Sequence, residues 1–159
     1  MKKAVILYTK YSPVIDAIKH TLSDCEVECV TTPNNTDNCD VVILSNYNGE
    51  YSGNAICCHH SLLPSFDSDE PEKDAIIEGV KVSGITIFFT NPKRIIMQYP
   101  VFITNDMHYD DLVKKLNYLE QTLFPIVIKK ILNNEPFDIE ELSSKKCGNG
   151  CGGCGGCNH

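Results

Sequence analysis

Short apolar runs separated by turn-forming residues constrain the fold of this chain most strongly. Residues 4–8 read Ala-Val-Ile-Leu-Tyr, a short run with β-branched residues at its centre, which is typical of a strand buried on both faces of a parallel sheet. Ser12 and Pro13 then offer an N-cap and a first helical position. The apolar residues that follow recur at helical spacing: Val14, Ile15, Ile18 and Leu22. Residues 26–30 and 41–44 predict two more strands, so the pattern indicates an α/β fold.

The second half of the chain predicts a hairpin and a long helix. Residues 55–58 form a short apolar run, residues 72–78 a brief helix, and residues 80–89 and 94–103 two extended segments joined by a turn. From Asp110 onward, one helical stripe carries Leu112, Leu116, Leu119, Leu123 and Ile126, and Pro125 is expected to kink that helix. The acidic residues Asp67, Asp69, Glu70 and Glu72 predict an exposed loop.

Charge and hydropathy exclude several classes of protein. The 14 Lys and Arg against 21 Asp and Glu give a net charge of −7, so nothing in the overall field attracts phosphate backbones or an anionic membrane. No stretch approaches the roughly 18 apolar residues that a membrane span needs, and the apolar run at the start is too short for a signal sequence. We therefore expect a cytoplasmic protein with no membrane partner, and nucleic acid is disfavoured as a ligand.

The last residues differ in character from the rest. Residues 145–159 contain no apolar residue other than cysteine, which predicts a folded domain over 1–142 and a flexible, Cys/Gly-rich tail over 143–159. Four soft thiolates at short spacing could hold one zinc ion or one iron–sulfur cluster, and we expect them to be Cys147, Cys151, Cys154 and Cys157. The alternatives are a low-complexity end with incidental cysteines, or a redox or interaction tail that binds a protein partner.

One motif resembles a known family. The segment His-His-Ser-Leu-Leu-Pro-Ser-Phe at 59–66, followed by Gly-Val-Lys-Val-Ser-Gly-Ile-Thr at 79–86, resembles the formyltransferase family, which includes glycinamide ribonucleotide and methionyl-tRNA formyltransferases. The resemblance spans residues 1 to about 134 and is strongest from 55 to 98. It implies a formyltransferase-like open, mostly parallel, Rossmann-like sheet flanked by helices. It also implies 10-formyltetrahydrofolate as the one-carbon donor and a small-molecule acceptor.

The same resemblance implies a site. It places His59 on the family's catalytic His and Cys57 on the Asn that donates a hydrogen bond to the formyl oxygen, while Thr86 and Leu63 line the folate pocket. His60 replaces the family's Pro after that His. The family's Asp is expected after Thr90, but residues 91–98 contain no acid, and no glycine-rich phosphate loop follows the first strand.

Two functions remain open from the sequence. The first is one-carbon transfer from a folate-like donor to an amine, with altered or lost catalysis. Acyl transfer needs a hydrogen-bond donor at the developing negative charge and a route for the proton, and the Asn and Asp that supply them in the family are missing here. The second is a non-catalytic metal-binding, iron–sulfur or redox protein built on the same scaffold. The retained His59 motif favours the enzyme, whereas the missing Asn and Asp favour the binding protein.

Overall fold

The computed structural model describes residues 1–136 of the 159-residue chain, which contain one six-stranded sheet, three α-helices and a short 3-10 helix at Pro33–Asn35. The elements are β1 (Lys3–Leu7), α1 (Pro13–Thr21), β2 (Glu26–Val30), β3 (Val41–Leu44), β4 (Ile56–His59), α2 (Pro71–Ile77), β5 (Val82–Thr90), β6 (Lys93–Phe102) and α3 (Tyr109–Asn133). The predicted tail and its four cysteines, Cys147, Cys151, Cys154 and Cys157, lie outside the described residues.

The sheet is open and mostly parallel. Its strand order is β2-β1-β3-β4-β5-β6, in which β1 to β4 pair in parallel, while β5 pairs antiparallel with both β4 and β6. Ala4 to Leu7 of β1 are fully buried, as a central strand covered on both faces requires. The predicted fold class is confirmed.

The helices cover the sheet with the apolar faces that the sequence predicts. α1 buries Val14, Ile15 and Ile18 and packs against α3. Within α3, the stripe formed by Leu112, Leu116, Leu119 and Leu123 is almost completely buried. Pro125 is also buried, and the helix continues beyond it to Asn133, where Asn134 in a left-handed conformation (φ 54°) ends it.

The topology gathers the carboxyl ends of β1, β3 and β4 at one edge of the molecule. In parallel sheets, the loops that leave this edge are where ligands usually bind. The chain then turns back through β5 and β6, whose connection at Asn91 and Pro92 is short. No helix of residues 1–136 is long and apolar enough to cross a membrane.

Candidate functional site

A cleft of about 710 Å³ opens at the carboxyl ends of the parallel strands. Ligand pockets for small molecules usually measure about 300–1,000 Å³, so the cleft has the volume of a small-molecule site. β1 leads into its wall at Lys10, β3 at Asn46, and β4 at Cys57 and His59, while α2 and α3 contribute Glu72 and Glu120. The structure therefore places both predicted catalytic residues in one cleft.

His59 is held by the loop that leaves β4. Its Nε2 lies 2.9 Å from the carbonyl oxygen of Phe66, a residue with a left-handed backbone (φ 50°). Because a carbonyl oxygen only accepts, the hydrogen bond requires the ring proton on Nε2 and leaves Nδ1 as the atom that can accept a proton. In this tautomer Nδ1 can accept a proton, as an acid–base group requires.

Cys57 contributes a neutral thiol to the same cleft. Burial, reinforced by the negative charge of Glu120, raises the pKa of Cys57 to about 12. The thiol is therefore protonated at neutral pH, and its Sγ lies 3.7 Å from the backbone oxygen of Cys58. A protonated, buried thiol is a weak hydrogen-bond donor and a poor nucleophile.

Thr86 and Leu63 lie beneath the turn that follows β4. Thr86 Oγ1 accepts a hydrogen bond from the Leu63 backbone N–H (3.0 Å) and donates one to the Ser61 carbonyl (2.6 Å). Gln98 Nε2 donates to both Thr86 Oγ1 (3.1 Å) and the Leu63 oxygen (2.8 Å). Thr86 is fully buried, Leu63 is 4% exposed, and the residues that line the cleft include neither. Their contact with a folate stays a prediction, whereas their position shows that they hold the turn.

Gly84 lets this turn approach the sheet closely. A Cβ at this position would overlap the backbone oxygen of Tyr99 and the side chain of Leu62. Only glycine has room there, so the turn residue Leu62 packs directly onto β5.

The cleft contains a second group of polar side chains, formed by His60, Glu72 and Glu120, and the sequence did not predict this group. Nδ1 of His60 lies 2.5 Å from Glu72 Oε1, and Nε2 of His60 lies 2.8 Å from Glu120 Oε2. The interpretation of the acidic stretch as an exposed loop is wrong for Glu72, whose side chain is only 16% exposed. The sequence spacing could have indicated that Glu120 is partly buried. Glu120 lies four residues after Leu116 and three before Leu123, so it borders the apolar stripe of α3.

The β5–β6 hairpin brings no acid of its own, as residues 91–98 show. Its Lys93 instead pairs with Asp67 at 2.8 Å, and this pairing holds the pKa of Asp67 below its usual value. Nowhere in residues 1–136 does a group of three or more His, Cys, Asp or Glu side chains form a set that could hold a metal ion. The predicted metal ligands in the tail fall outside that range.

Comparisons with known proteins agree with this fold and motif. The formyl transferase family model matches residues 37–128. The chain is 34% identical over 86 residues to phosphoribosylglycinamide formyltransferase of Bacillus subtilis, a match that covers 52% of this chain and 44% of the relative. It is 31% identical over 81 residues to methionyl-tRNA formyltransferase of Syntrophomonas wolfei, covering 48% of this chain and 26% of that protein.

Solved structures show the same architecture. The crystal structure of phosphoribosylglycinamide formyltransferase from Bacillus halodurans superposes with a TM-score of 0.70 at 23% identity, covering 82% of this chain and 95% of that one. The sequence matches span less than half the length of either curated relative described above. With the family model matching more than half of its residues, the chain belongs to the formyl transferase family.

Proposed function

We propose that this protein transfers a formyl group from 10-formyltetrahydrofolate to a primary amine bound in the cleft. The observation that carries the proposal is the position of His59, which the turn at residues 61–64 presents to a cleft of about 710 Å³ at the carboxyl ends of the parallel strands. Membership of the family supports the reaction class.

The reaction requires one proton to move. The amine nitrogen attacks the formyl carbon, the bond between that carbon and N10 of the folate breaks, and the proton that the amine loses ends on N10. His59 is suited to carry it, because the hydrogen bond from Nε2 to Phe66 leaves Nδ1 able to accept a proton and release it again.

The group expected to stabilise the formyl oxygen is altered. As negative charge develops on that oxygen, Cys57 can offer only the S–H of a protonated thiol. Loss of a single oxyanion donor typically lowers turnover by about 10²–10³. We therefore expect slow but specific turnover, with His59 as its acid–base group.

The acceptor is proposed as a small primary amine. The name of the Bacillus subtilis relative makes glycinamide ribonucleotide the first acceptor to test. No glycine-rich loop follows β1, where residues 9–12 read Thr-Lys-Tyr-Ser, although Lys10 and Ser12 line the cleft beside the start of α1. We expect weak phosphate binding there, and hence a turnover of glycinamide ribonucleotide below that of the family.

The test is a formyl-transfer assay with the full chain. Purified protein is incubated with 10-formyltetrahydrofolate and a panel of amines that includes glycinamide ribonucleotide, and formylated product and tetrahydrofolate are quantified by mass spectrometry. We expect His59→Ala to lower the rate by about 10²–10⁴-fold. His20→Ala, which changes an exposed histidine of α1, serves as the control and should retain the wild-type rate. Equal rates for His59→Ala and wild type would contradict the proposal.

A further inference from the structure

The side chain of His60 connects three elements. It follows directly after β4 and lies between Glu72 of α2 and Glu120 of α3, at 2.5 Å and 2.8 Å from their carboxylate oxygens. The three side chains are only 14%, 16% and 17% exposed. Because ionised carboxylates only accept hydrogen bonds, both ring nitrogens must donate, which is the bonding pattern of an imidazolium.

The electrostatics of the cleft agree with a protonated His60. Burial alone would lower the pKa of His60, but the hydrogen bonds to Glu120 and Glu72 outweigh it and raise that pKa to about 9. Burial opposes ionisation of Glu72 as well, yet the hydrogen bond from His60 leaves the pKa of Glu72 below its ordinary value. The remaining titratable groups lining the cleft are Lys10, Tyr11, Tyr47, Cys57, Cys58, His59 and Asp69.

We propose that His60, clamped between Glu72 and Glu120, is a positioning residue for His59. The inference rests on the proposed function, since it assigns His60 a role in placing the acid–base group of that reaction. His59 and His60 are consecutive, so fixing the His60 ring between two helices fixes the point where the chain leaves β4. From that point the loop returns to Phe66, whose carbonyl orients the His59 ring.

We call His60 together with Glu72 and Glu120 the clamp. Because the clamp is charged, we expect the position of the His59 ring to depend on pH. When His60 loses its proton, one of its ring nitrogens can no longer donate, and one carboxylate loses its partner. The His60 ring is then held by a single hydrogen bond, and His59 is placed less accurately. A small misplacement of a catalytic group can lower turnover by about 10²-fold.

The first test measures both histidines directly in the full chain by NMR titration. We expect His60 to titrate near pH 9, and the ring signals of His59 and the backbone amides of residues 61–66 to shift in the same pH range. Glu120→Gln should move the His60 titration, together with the response of His59, to lower pH. A titration of His60 near 6.5, or a His59 ring that does not respond to it, would overturn the inference.

The second test is kinetic. For Glu120→Gln we expect kcat to fall about tenfold or more, with KM for the formyl donor nearly unchanged. The ratio of the kcat of Glu120→Gln to the kcat of wild type should be lowest between pH 6.5 and about 9. Above that range the ratio should approach one, because His60 of wild type also loses its proton there. A variant that merely folds less well would show no such minimum. The control is Glu70→Gln, which removes only an exposed ion pair with Lys73 at the start of α2.

Variants of His60 itself complete the comparison. His60→Pro introduces the residue that the resemblance implies and should lose the ordered His59 signals, whereas His60→Lys keeps a cation between the carboxylates and should restore part of kcat. If His60→Pro matches wild type in kcat and in the His59 spectrum, the inference is wrong. If the titrations behave as expected but no amine is formylated, the proposed function fails while the positioning of His59 stands.

Discussion

Under the proposed function, Cys57 determines how well the cleft can stabilise negative charge on the formyl oxygen. Its burial among apolar strand residues, together with the charge of Glu120, keeps the thiol protonated. The site therefore combines a well-placed histidine with a weak hydrogen-bond donor. At the scale of single residues, this is the main departure from what acyl transfer requires.

The substitution Cys57→Asn tests that departure. An amide at this position supplies a stronger N–H donor, so formyl transfer should become faster. We expect the gain to stay below the roughly hundredfold or more that one oxyanion donor typically contributes, because no acid follows Thr90. The measurement is kcat/KM in the mass-spectrometric assay, with Cys25→Asn, on the loop before β2, as the control. A fall in rate would show that the thiol itself participates.

Individual residues of the site differed in how far the sequence could reveal them. His59 and Cys57 were found because they lie within one continuous motif, and the structure brings them into one cleft. The pairing of His60 with Glu72 and Glu120 joins residues 12 and 60 positions apart, so no local pattern encodes it. Only the position of Glu120 beside the apolar stripe of α3 hinted at a buried carboxylate.

The turn between β4 and α2 depends on hydrogen bonds to β5. Thr86→Val removes the hydroxyl that binds Leu63 N and Ser61 O while keeping the shape of the side chain. Because this leaves buried groups without partners, we expect a loss of about 2 kcal/mol in the free energy of unfolding. Thr122→Val removes a hydroxyl that binds only Tyr118 O one turn earlier in α3, and should change stability by less than about 0.5 kcal/mol. Equal effects in urea denaturation would contradict the assignment of Thr86 to the turn.

The clamp around His60 joins β4 to α2 and α3, so the stability of this packing should depend on pH. Folding raises the pKa of His60 from 6.5 to about 9, and hence its contribution is complete below pH 6.5 and is lost as pH rises through 9. Folding lowers the pKa of Glu72, whose contribution is present above its ordinary pKa of 4.5 and lost as pH falls through its folded value. The clamp is strongest between those limits.

We therefore compare wild type with His60→Gln by chemical denaturation at several pH values. The stability advantage of wild type should be largest near pH 5–6 and shrink by about 3 kcal/mol by pH 10. His20→Gln, at an exposed position of α1, should show no such difference. A gap between wild type and His60→Gln that stays constant with pH would mean that His60 is not held as a cation.

Elements were predicted most accurately where apolar residues alone decide the structure. β2 and β3 have the predicted bounds, and Leu112 to Leu123 of the α3 stripe are buried as expected. Ile126, the last residue of the predicted stripe, is only partly buried, because beyond Pro125 the helix turns Val127 and Ile128 into the core. α2 begins at Pro71 rather than at residue 72, and Glu72 turns inward there, because the partner that it finds in His60 lies on another element. The orientation of a polar side chain such as Glu72 depends on partners that are distant in the sequence, and hydrophobic periodicity does not reveal those partners.

At the scale of the whole molecule, the strand order explains why the cleft lies where it does. The α/β class follows from the sequence pattern, but the interior position of β1 and β3 and the antiparallel β5 and β6 depend on pairings between distant segments. The switch from parallel to antiparallel pairing occurs at β4, the strand that carries Cys57 and His59. Strand β4 therefore connects the parallel half, whose carboxyl edge lines the cleft, to the hairpin that secures the turn.

Metal binding by the four cysteines of the tail is a separate prediction, and it concerns the whole chain. If Cys147, Cys151, Cys154 and Cys157 bind zinc or an iron–sulfur cluster, Cys154→Ser should lower the metal content of anaerobically purified protein. Cys25→Ser should leave the metal content unchanged, because Cys25 packs against the core. Elemental and sulfide analysis with an absorption spectrum checks this. Equal metal content in wild type and Cys154→Ser would make an interaction or redox role the better account of the tail.

The last prediction concerns how much of the chain the fold needs. Within the described residues 1–136, the buried apolar residues of the core run from Ala4 to Leu132, which lies before the proposed boundary after residue 142. Removal of residues 143–159 should therefore leave the far-UV spectrum and the cooperative thermal transition nearly unchanged, because it takes away no apolar side chain other than cysteine. Truncation after Ile126 is the contrasting variant. It deletes Val127, Ile128 and Leu132 from the core, and the deletion of even one such buried side chain typically costs about 2–5 kcal/mol. If removal of residues 143–159 also abolishes cooperative unfolding, these residues are part of the folded domain.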